Sequence, residues 1–209
     1  MRVVVTAGPT REFVDPVRFL SNPSTGKMGF AIAAEAARRG CDAVLVAGPV
    51  ALKTPRGVRR VDVVSARQML REVRMELARE PRGGRPVLIA AAAVADWRPA
   101  KCASRKLKKR EMSGTLELVR NPDVLLSAKG CRKVGFAAET GDAIAEASRK
   151  CREKGLEFIV ANDVTEKGSG FGTDTDRVAF VFPDGRVKRL PLMTKRMVAR
   201  RVVDAVLGL

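Results

Sequence analysis

The chain has 209 residues, with 40 Lys and Arg against 23 Asp and Glu, four Cys, and neither His nor Tyr. The absence of His excludes Ser-His-Asp triads, Cys-His dyads and HExxH zinc sites, so proton chemistry falls to carboxylates, Lys, Cys, water or the substrate. A formal charge of +17 points to anionic partners, while an aromatic content of 4% argues against stacking of single-stranded bases.

The run RVVVTAG, from Arg2, is short, β-branched and ended by a turn, which predicts a buried strand. A long polar loop (GPTREFVDPVRFLSNPST) follows, then a helix from near Gly26 to Arg39 with Gly40 as its stop. DAVLVAG and GVRRVDVV predict two more strands. Ser65 can cap a helix whose apolar residues Met69, Leu70, Val73 and Leu77 share one face. RPVLIAAAA reads as a fourth strand of parallel type. The character then changes: Lys101 to Arg110 holds six basic residues in ten and no acid, and GTLELV alternates like a short exposed strand.

Asn121-Pro122 signals a helix start, a cap followed by proline in the first turn. KVGFAAE and EFIVAND predict strands on either side of a helix from about Thr140 to Lys154. RVAFVF and RVKRL, joined by Pro-Asp-Gly, predict a hairpin. A last helix runs from Thr194, with Val198, Val202 and Ala205 inward. Alternating strands and helices imply one α/β domain over 1–209: a doubly wound, mostly parallel Rossmann-like sheet with helices on both faces. A basic flap at about 99–114 and an antiparallel hairpin at about 177–191 are appended.

Ligands of open α/β sheets bind beyond the carboxyl ends of the strands, and three such segments stand out. Ser21 to Ala33, SNPSTGKMGFAIA, is a small-residue loop opening a helix, whose unpaired N–H groups suit an anion. Gly26 and Gly29 would admit a phosphate to the backbone; a plain glycine-rich helix start is the alternative. The loop matches neither a Walker loop, since Met28 follows Lys27, nor the dinucleotide fingerprint. In AAAAVADWRP, Ala90 to Pro99, small residues leave room for a flat ring with Asp96 and Arg98 at the mouth. Tight helix–sheet packing, with Asp96 as a cap, explains the same residues. The segment ending KLKK, Lys106 to Lys109, is either a solvated or nucleic-acid-binding loop or a flap closing a Lys over polyphosphate. Asn162 and Asp163 end a strand, where polar side chains would face the crevice. Lys150 and Lys154 share a helix face and read, from spacing alone, as solvated surface.

Cys41, Cys102, Cys131 and Cys151 form no C-x-x-C pair and read as reduced thiols. No targeting segment is recognised, and the longest apolar run, Val87 to Ala95, is too short to span a bilayer. A soluble, cytoplasmic protein is expected. A short-chain oxidoreductase is excluded by the missing glycine fingerprint and the absence of Tyr. A basic nucleic-acid-binding protein remains the competing class.

Seven segments in order, TAGPTREFVDPVRFLSNPSTGKMGFAIA, AAAVADWRP, KLKK, NPDVL, VGFAAET, IVANDV and FGTDTDRV, resemble the phosphopantothenate–cysteine ligase family from Val5 to about Val178. The resemblance is to the bacterial and archaeal CTP-using type, without the flavin-dependent decarboxylase to which many relatives are fused, so no flavin is expected. It implies joining of 4'-phosphopantothenate to L-cysteine through an acyl-cytidylate, with CTP rather than ATP as co-substrate and Mg²⁺ on the triphosphate. No metal ligand among the side chains follows from it. By resemblance, Asn22 contacts the activated acyl group with Arg18 nearby. Ser24, Gly26, Lys27 and Gly29 hold phosphates, and Lys106 is the flap lysine acting on them. Ala90, Ala91 and Ala92 present backbone to cytosine, with Asp96 on the nucleotide. Pro122, Asp123, Val124, Leu125, Phe136, Lys150 and Lys154 complete the nucleotide site. A homodimer is implied; membrane and nucleic acid are not expected as partners. The sequence departs from the family at Trp97, where Tyr is common, and at Asp176, where Asn is expected.

Overall fold

The structure, a computed structural model, describes residues 1–79, 84–111, 114–140 and 143–208. The chain opens with β1 (Arg2–Ala7), then a small hairpin of β2 (Arg11–Phe13) and β3 (Phe19–Ser21), and helix α1 (Lys27–Arg38). Next come β4 (Asp42–Ala47), β5 (Val58–Asp62), α2 (Ala66–Ala78) and β6 (Val87–Ala90). Antiparallel β7 (Trp97–Pro99) and β8 (Leu118–Arg120) bracket the basic flap, which carries a 3₁₀ turn at Lys109–Glu111. After these lie the one-turn helix α3 (Val124–Ser127), β9 (Arg132–Glu139), α4 (Ala143–Glu153) and β10 (Phe158–Asp163). The C-terminal part holds β11 (Thr175–Asp176), β12 (Ala179–Val181), β13 (Val187–Arg189), β14 (Met193–Thr194) and α5 (Lys195–Leu207).

Among the described residues, eight strands form one sheet in the order β13-β12-β10-β9-β6-β1-β4-β5. The strands from β5 across to β10 are parallel; β12 and β13 add the expected antiparallel hairpin at one edge. The connection reverses direction between β1 and β6, which makes the gap beyond their carboxyl ends the topological switch point. Helices α1 and α5 pack on one face through Phe30, Ile32, Ala33, Val198 and Val202. The opposite face is covered by α2 and α3 through Met69, Val73 and Val124, and by α4 through Ala147 and Cys151. Central strands are buried on both faces, which is why β1 and β4 are continuous apolar runs. Fully buried Ile32, Leu45, Met69, Ile89 and Phe158 each contribute about 1.5–3 kcal/mol through removal from water.

Local signals worked where a short-range bond decides the element. Ser65 makes a complete capping box with Gln68 at the start of α2. Gly26 takes φ of 78° before α1, a conformation an L side chain adopts only with strain. Gly29 has a different reason: a Cβ there would lie 2.5 Å from Ala7 Cβ and 2.9 Å from the Thr6 carbonyl. Glycine at this position therefore permits the close contact of α1 with β1.

Several expectations need correction. The supposed polar loop after β1 contains the β2–β3 hairpin, with the rings of Phe13 and Phe19 5.4 Å apart. The cap of α3 is Asp123 rather than Asn121, so Asn121-Pro122 precede the helix. The strand expected in GTLELV is confined to its end and continues to Arg120. The helix expected from Thr140 is described from Ala143; Gly141 and Asp142 lie outside the described residues, as do Met112 and Ser113 of the flap. In α5, Val198, Val202, Val203 and Val206 are buried, but Ala205 is only half-buried. All four Cys are free thiols.

Candidate functional site

The switch point is closed at its base by backbone bonds between the loops after β1 and β6. Ala93 N–H donates to the Gly8 carbonyl at 2.9 Å, and Thr10 N–H to the Ala93 carbonyl at 3.3 Å. Buried Thr6 and Thr10 accept from the N–H groups of Ala92 and Ala95 at 3.2 and 3.0 Å. The small residues Ala90 to Ala93 thus allow two loops to approach, and their remaining backbone lines two adjoining clefts.

The first cleft, of about 110 Å³, lies between the Ser24–Met28 loop and residues Ala91 to Ala93. No side chain caps α1 and no acid sits in its first turn, so its free N–H groups and positive dipole end favour an anion. Lys27 turns toward a neighbouring segment, with its ammonium 2.7 Å from Asp174 Oδ1 and 3.2 Å from the Gly172 carbonyl. Thr25 Oγ1 donates to the Phe171 carbonyl at 2.8 Å.

Three polar side chains form the floor of this cleft. The buried Lys195 ammonium donates to the Gly170 carbonyl at 2.6 Å, and Asn162 Nδ2 donates to buried Asp176 Oδ1 at 3.0 Å. Burial raises the Asp176 carboxyl above its ordinary value despite Asn162 and Lys195, and burial lowers the Lys195 ammonium despite Asp176. Asn162 was legible as a polar residue ending a strand, and Asp176 as a departure from family pattern. Lys195 was missed: a lysine opening a helix reads as solvent-facing, and only the return of the 170s loop buries it.

The second cleft, of about 200 Å³, runs from Ala90 and Ala92 past Asp96 to α3 and Lys154. It shares Ala92 and Phe136 with the first. Pro122, Asp123, Val124 and Leu125 form one wall. Asn121, instead of capping α3, donates its Nδ2 to the Ala95 carbonyl at 2.8 Å and accepts from Arg98 at 3.2 Å. Asp123 accepts the Leu126 N–H at 2.9 Å and pairs with Lys154 at 2.6 Å. Burial opposes ionisation of Asp123, but the Leu126 N–H and the Lys154 ammonium prevail and hold its carboxyl below the usual value.

The remaining candidates are distributed around these clefts. Asn22 Nδ2 donates to the Ala93 carbonyl at 3.1 Å, beside the first cleft. Arg18 is paired with Asp15 and donates to the Leu107 carbonyl at 2.8 Å, so it belongs to the base of the flap. Lys106 is exposed on the flap and lines neither cleft. Lys150 also lies off both clefts, paired with Glu139 at 2.6 Å and Glu146 at 3.3 Å. Gly29 is buried under the loop rather than exposed in it.

Sheet order and crevice define a Rossmann-like α/β domain with a ligand crevice at its switch point. The family model for the DNA/pantothenate metabolism flavoprotein C-terminal domain matches residues 1–209, and the chain belongs to that family. It is 42% identical over 214 residues to the coenzyme A biosynthesis bifunctional protein CoaBC of Escherichia coli K12, covering 99% of this chain and 51% of that protein. It is 41% identical to the CoaBC protein of Bacillus subtilis strain 168, again over 99% of this chain and 51% of that one. The chain thus spans about half the length of the curated relatives it matches. A crystal structure of the C-terminal domain of a CoaBC protein superposes with a TM-score of 0.80 at 39% identity, covering 98% of this chain and 93% of that chain. A DNA/pantothenate metabolism flavoprotein from Streptococcus pneumoniae, at 20% identity and a TM-score of 0.82 over 100% of this chain and 99% of that chain, shares the fold.

Proposed function

We propose that this chain is a phosphopantothenate–cysteine ligase of coenzyme A biosynthesis, using CTP. The carboxylate of 4'-phosphopantothenate attacks the α-phosphorus of CTP and pyrophosphate leaves. The deprotonated amine of L-cysteine then attacks the acyl carbon of the acyl-cytidylate, expels CMP and leaves 4'-phosphopantothenoyl-L-cysteine. The observation that carries this reading is the junction of the two clefts at Ala92 and Phe136. One nucleotide can lie across both, its base between Ala90–Ala92 and α3 and its phosphates at the start of α1. The 39% identical solved domain and the relatives named for coenzyme A biosynthesis support it.

The chemistry asks for charge placement rather than a strong base, because a carboxylate is already nucleophilic at neutral pH. Uncapped N–H groups of α1 and the flap lysine Lys106 stabilise the departing pyrophosphate, as oriented dipoles and charge do in phosphoryl transfer. Lys27 joins them when it leaves Asp174. Asn22, held against Ala93, points an amide at the acyl group. Bound through the triphosphate, Mg²⁺ would supply charge to its oxygens. Among the described residues no group of three or more Cys, Asp and Glu side chains that could hold a metal ion is assembled.

The protein works in the cytoplasm as a homodimer joined through the β2–β3 and β7–β8 hairpins, which touch each other and expose Val17, Phe19, Trp97 and Leu118. No helix among the described residues is long and apolar enough to cross a membrane. Light scattering should give twice 22.6 kDa. The deciding experiment measures pyrophosphate release with CTP or ATP, each with and without phosphopantothenate. Release that needs phosphopantothenate, CTP and Mg²⁺ together is expected; release indifferent to phosphopantothenate would overturn the reading.

A further inference from the structure

The tip of the β2–β3 hairpin holds a carboxylate that the ligase chemistry does not use. The Asp15 side chain is fully buried. Its Oδ1 accepts the N–H groups of Val17 and Arg18 at 2.9 and 2.8 Å, which shapes the hairpin turn. Its Oδ2 accepts Arg18 Nε at 3.0 Å and Nη2 at 2.5 Å, and also the Leu107 N–H at 3.1 Å. Arg18 Nη2 donates in turn to the Leu107 carbonyl at 2.8 Å. One ion pair therefore grips both backbone polar groups of a single flap residue about 90 positions away in sequence. Ala103 N–H, donating to the Val14 carbonyl at 2.9 Å, docks the start of the same segment on the same hairpin.

Leu107 is the neighbour of Lys106. Adjacent Cα atoms are about 3.8 Å apart, so fixing the Leu107 backbone fixes where the Lys106 side chain begins while leaving its stem free. Lys106 is exposed and has no hydrogen bond or ion pair among the described residues. An anchored backbone with a mobile point charge is the arrangement a closing lysine needs, because little backbone order is lost when the substrate arrives.

We propose that Asp15 is the positioning residue of the Lys106 flap, acting through Arg18 and the Leu107 backbone. The inference rests on the role given above to Lys106. Asp15 touches no substrate. It sets the starting point of the lysine that does, and Arg18 works here as the second prong of the anchor.

Asp15→Asn tests this selectively. The amide oxygen can still accept the backbone N–H groups of Val17 and Arg18, but an NH₂ group replaces the oxygen that accepts from Leu107 and from the Arg18 guanidinium. Trypsin cleavage within residues 105–110, followed by mass spectrometry without substrates, should accelerate at least about tenfold, since proteolysis follows the open population. Pyrophosphate release at saturating substrates should fall about tenfold in Asp15→Asn and in Lys106→Gln, while Asp15→Asn costs less than about twofold in the Lys106→Gln background. Unchanged cleavage, or two losses that multiply, would overturn the proposal. If Asp15→Asn fails to fold by circular dichroism, Arg18→Lys, which keeps a cation but loses the fork to Leu107, is measured in the same way against the same criteria. Absence of pyrophosphate release from the unmutated chain would overturn the ligase reading alone, and the tryptic comparison would still decide whether Asp15 holds the flap.

Discussion

The Lys154 ammonium lies 2.6 Å from Asp123 Oδ2, joining the end of α4 to the capping residue of α3 across the wall of the second cleft. Both side chains are partly exposed, so the pair contributes at most about 1 kcal/mol to stability, and its larger effect is on charge at the cleft. Lys154→Met is expected to raise the KM for CTP about tenfold, the loss of one charge-assisted contact of ~1.4 kcal/mol. Turnover at saturation should change far less. Initial rates over a CTP series separate the two, and an unchanged KM would remove Lys154 from the nucleotide site.

Asn22 holds its amide against the Ala93 carbonyl at the edge of the first cleft. Asn22→Asp replaces that donor with an acceptor facing another acceptor, and places negative charge where the proposed reaction puts the acyl group. The acyl-cytidylate is expected to form and then react slowly with cysteine, by at least about tenfold. Rapid quenching in a single turnover should show the intermediate accumulating. Normal decay would assign Asn22 to structure only.

Gly29→Ala asks for 2.5 Å between two β-carbons across the α1–β1 contact. A shift of the helix costs roughly 1–3 kcal/mol, which in a domain of this size lowers the melting temperature by about 2–4 °C per kcal/mol. Thermal unfolding measures this directly. A midpoint equal to that of the unmutated chain would show that α1 can move outward without penalty.

Asp176 supplies the pH test. Burial raises its folded pKa, so the protonated form suits the fold. The stabilisation is complete below the unfolded value of about 3.9 and is lost as pH rises through the raised folded value. Asp176→Asn keeps an acceptor for Asn162 but has no carboxyl to ionise. The melting temperature of the variant relative to the unmutated chain should therefore climb as pH rises from about 4, near the unfolded value, through the raised folded value. A constant difference across that range would show that Asp176 is not strained by ionisation.

The strands, the helices and their alternation were legible because periodicity and caps act over a few residues. Ser65 with Gln68, or the apolar run of β1, carries its own explanation. The glycine loop, the alanine run and the KLKK segment were legible as unusual compositions at strand ends. Their joint meaning came from the ordered resemblance of seven segments, not from any one spacing. The β2–β3 hairpin was hidden because its strands are three residues each and its register depends on Asp15 and a ring contact.

Length, composition and charge by themselves determined that this protein works without histidine and carries a large positive excess. Its pattern of local periods determined an α/β domain with a mostly parallel sheet. Tertiary structure alone decided which residues share a cleft: Lys195 came to lie under the first, Lys150 was turned aside to Glu139, and the flap was tied at Leu107 to a carboxylate on a distant hairpin. The physical reason is range. Caps and apolar periods are fixed by neighbours in the chain, whereas burial of a charge is set by whichever distant segment returns to cover it. The +17 charge is what remains after pairs such as Arg149 with Glu146 and Glu153 have cancelled, and among the described residues Lys27, Lys195 and Lys154 are the cations that line the two clefts.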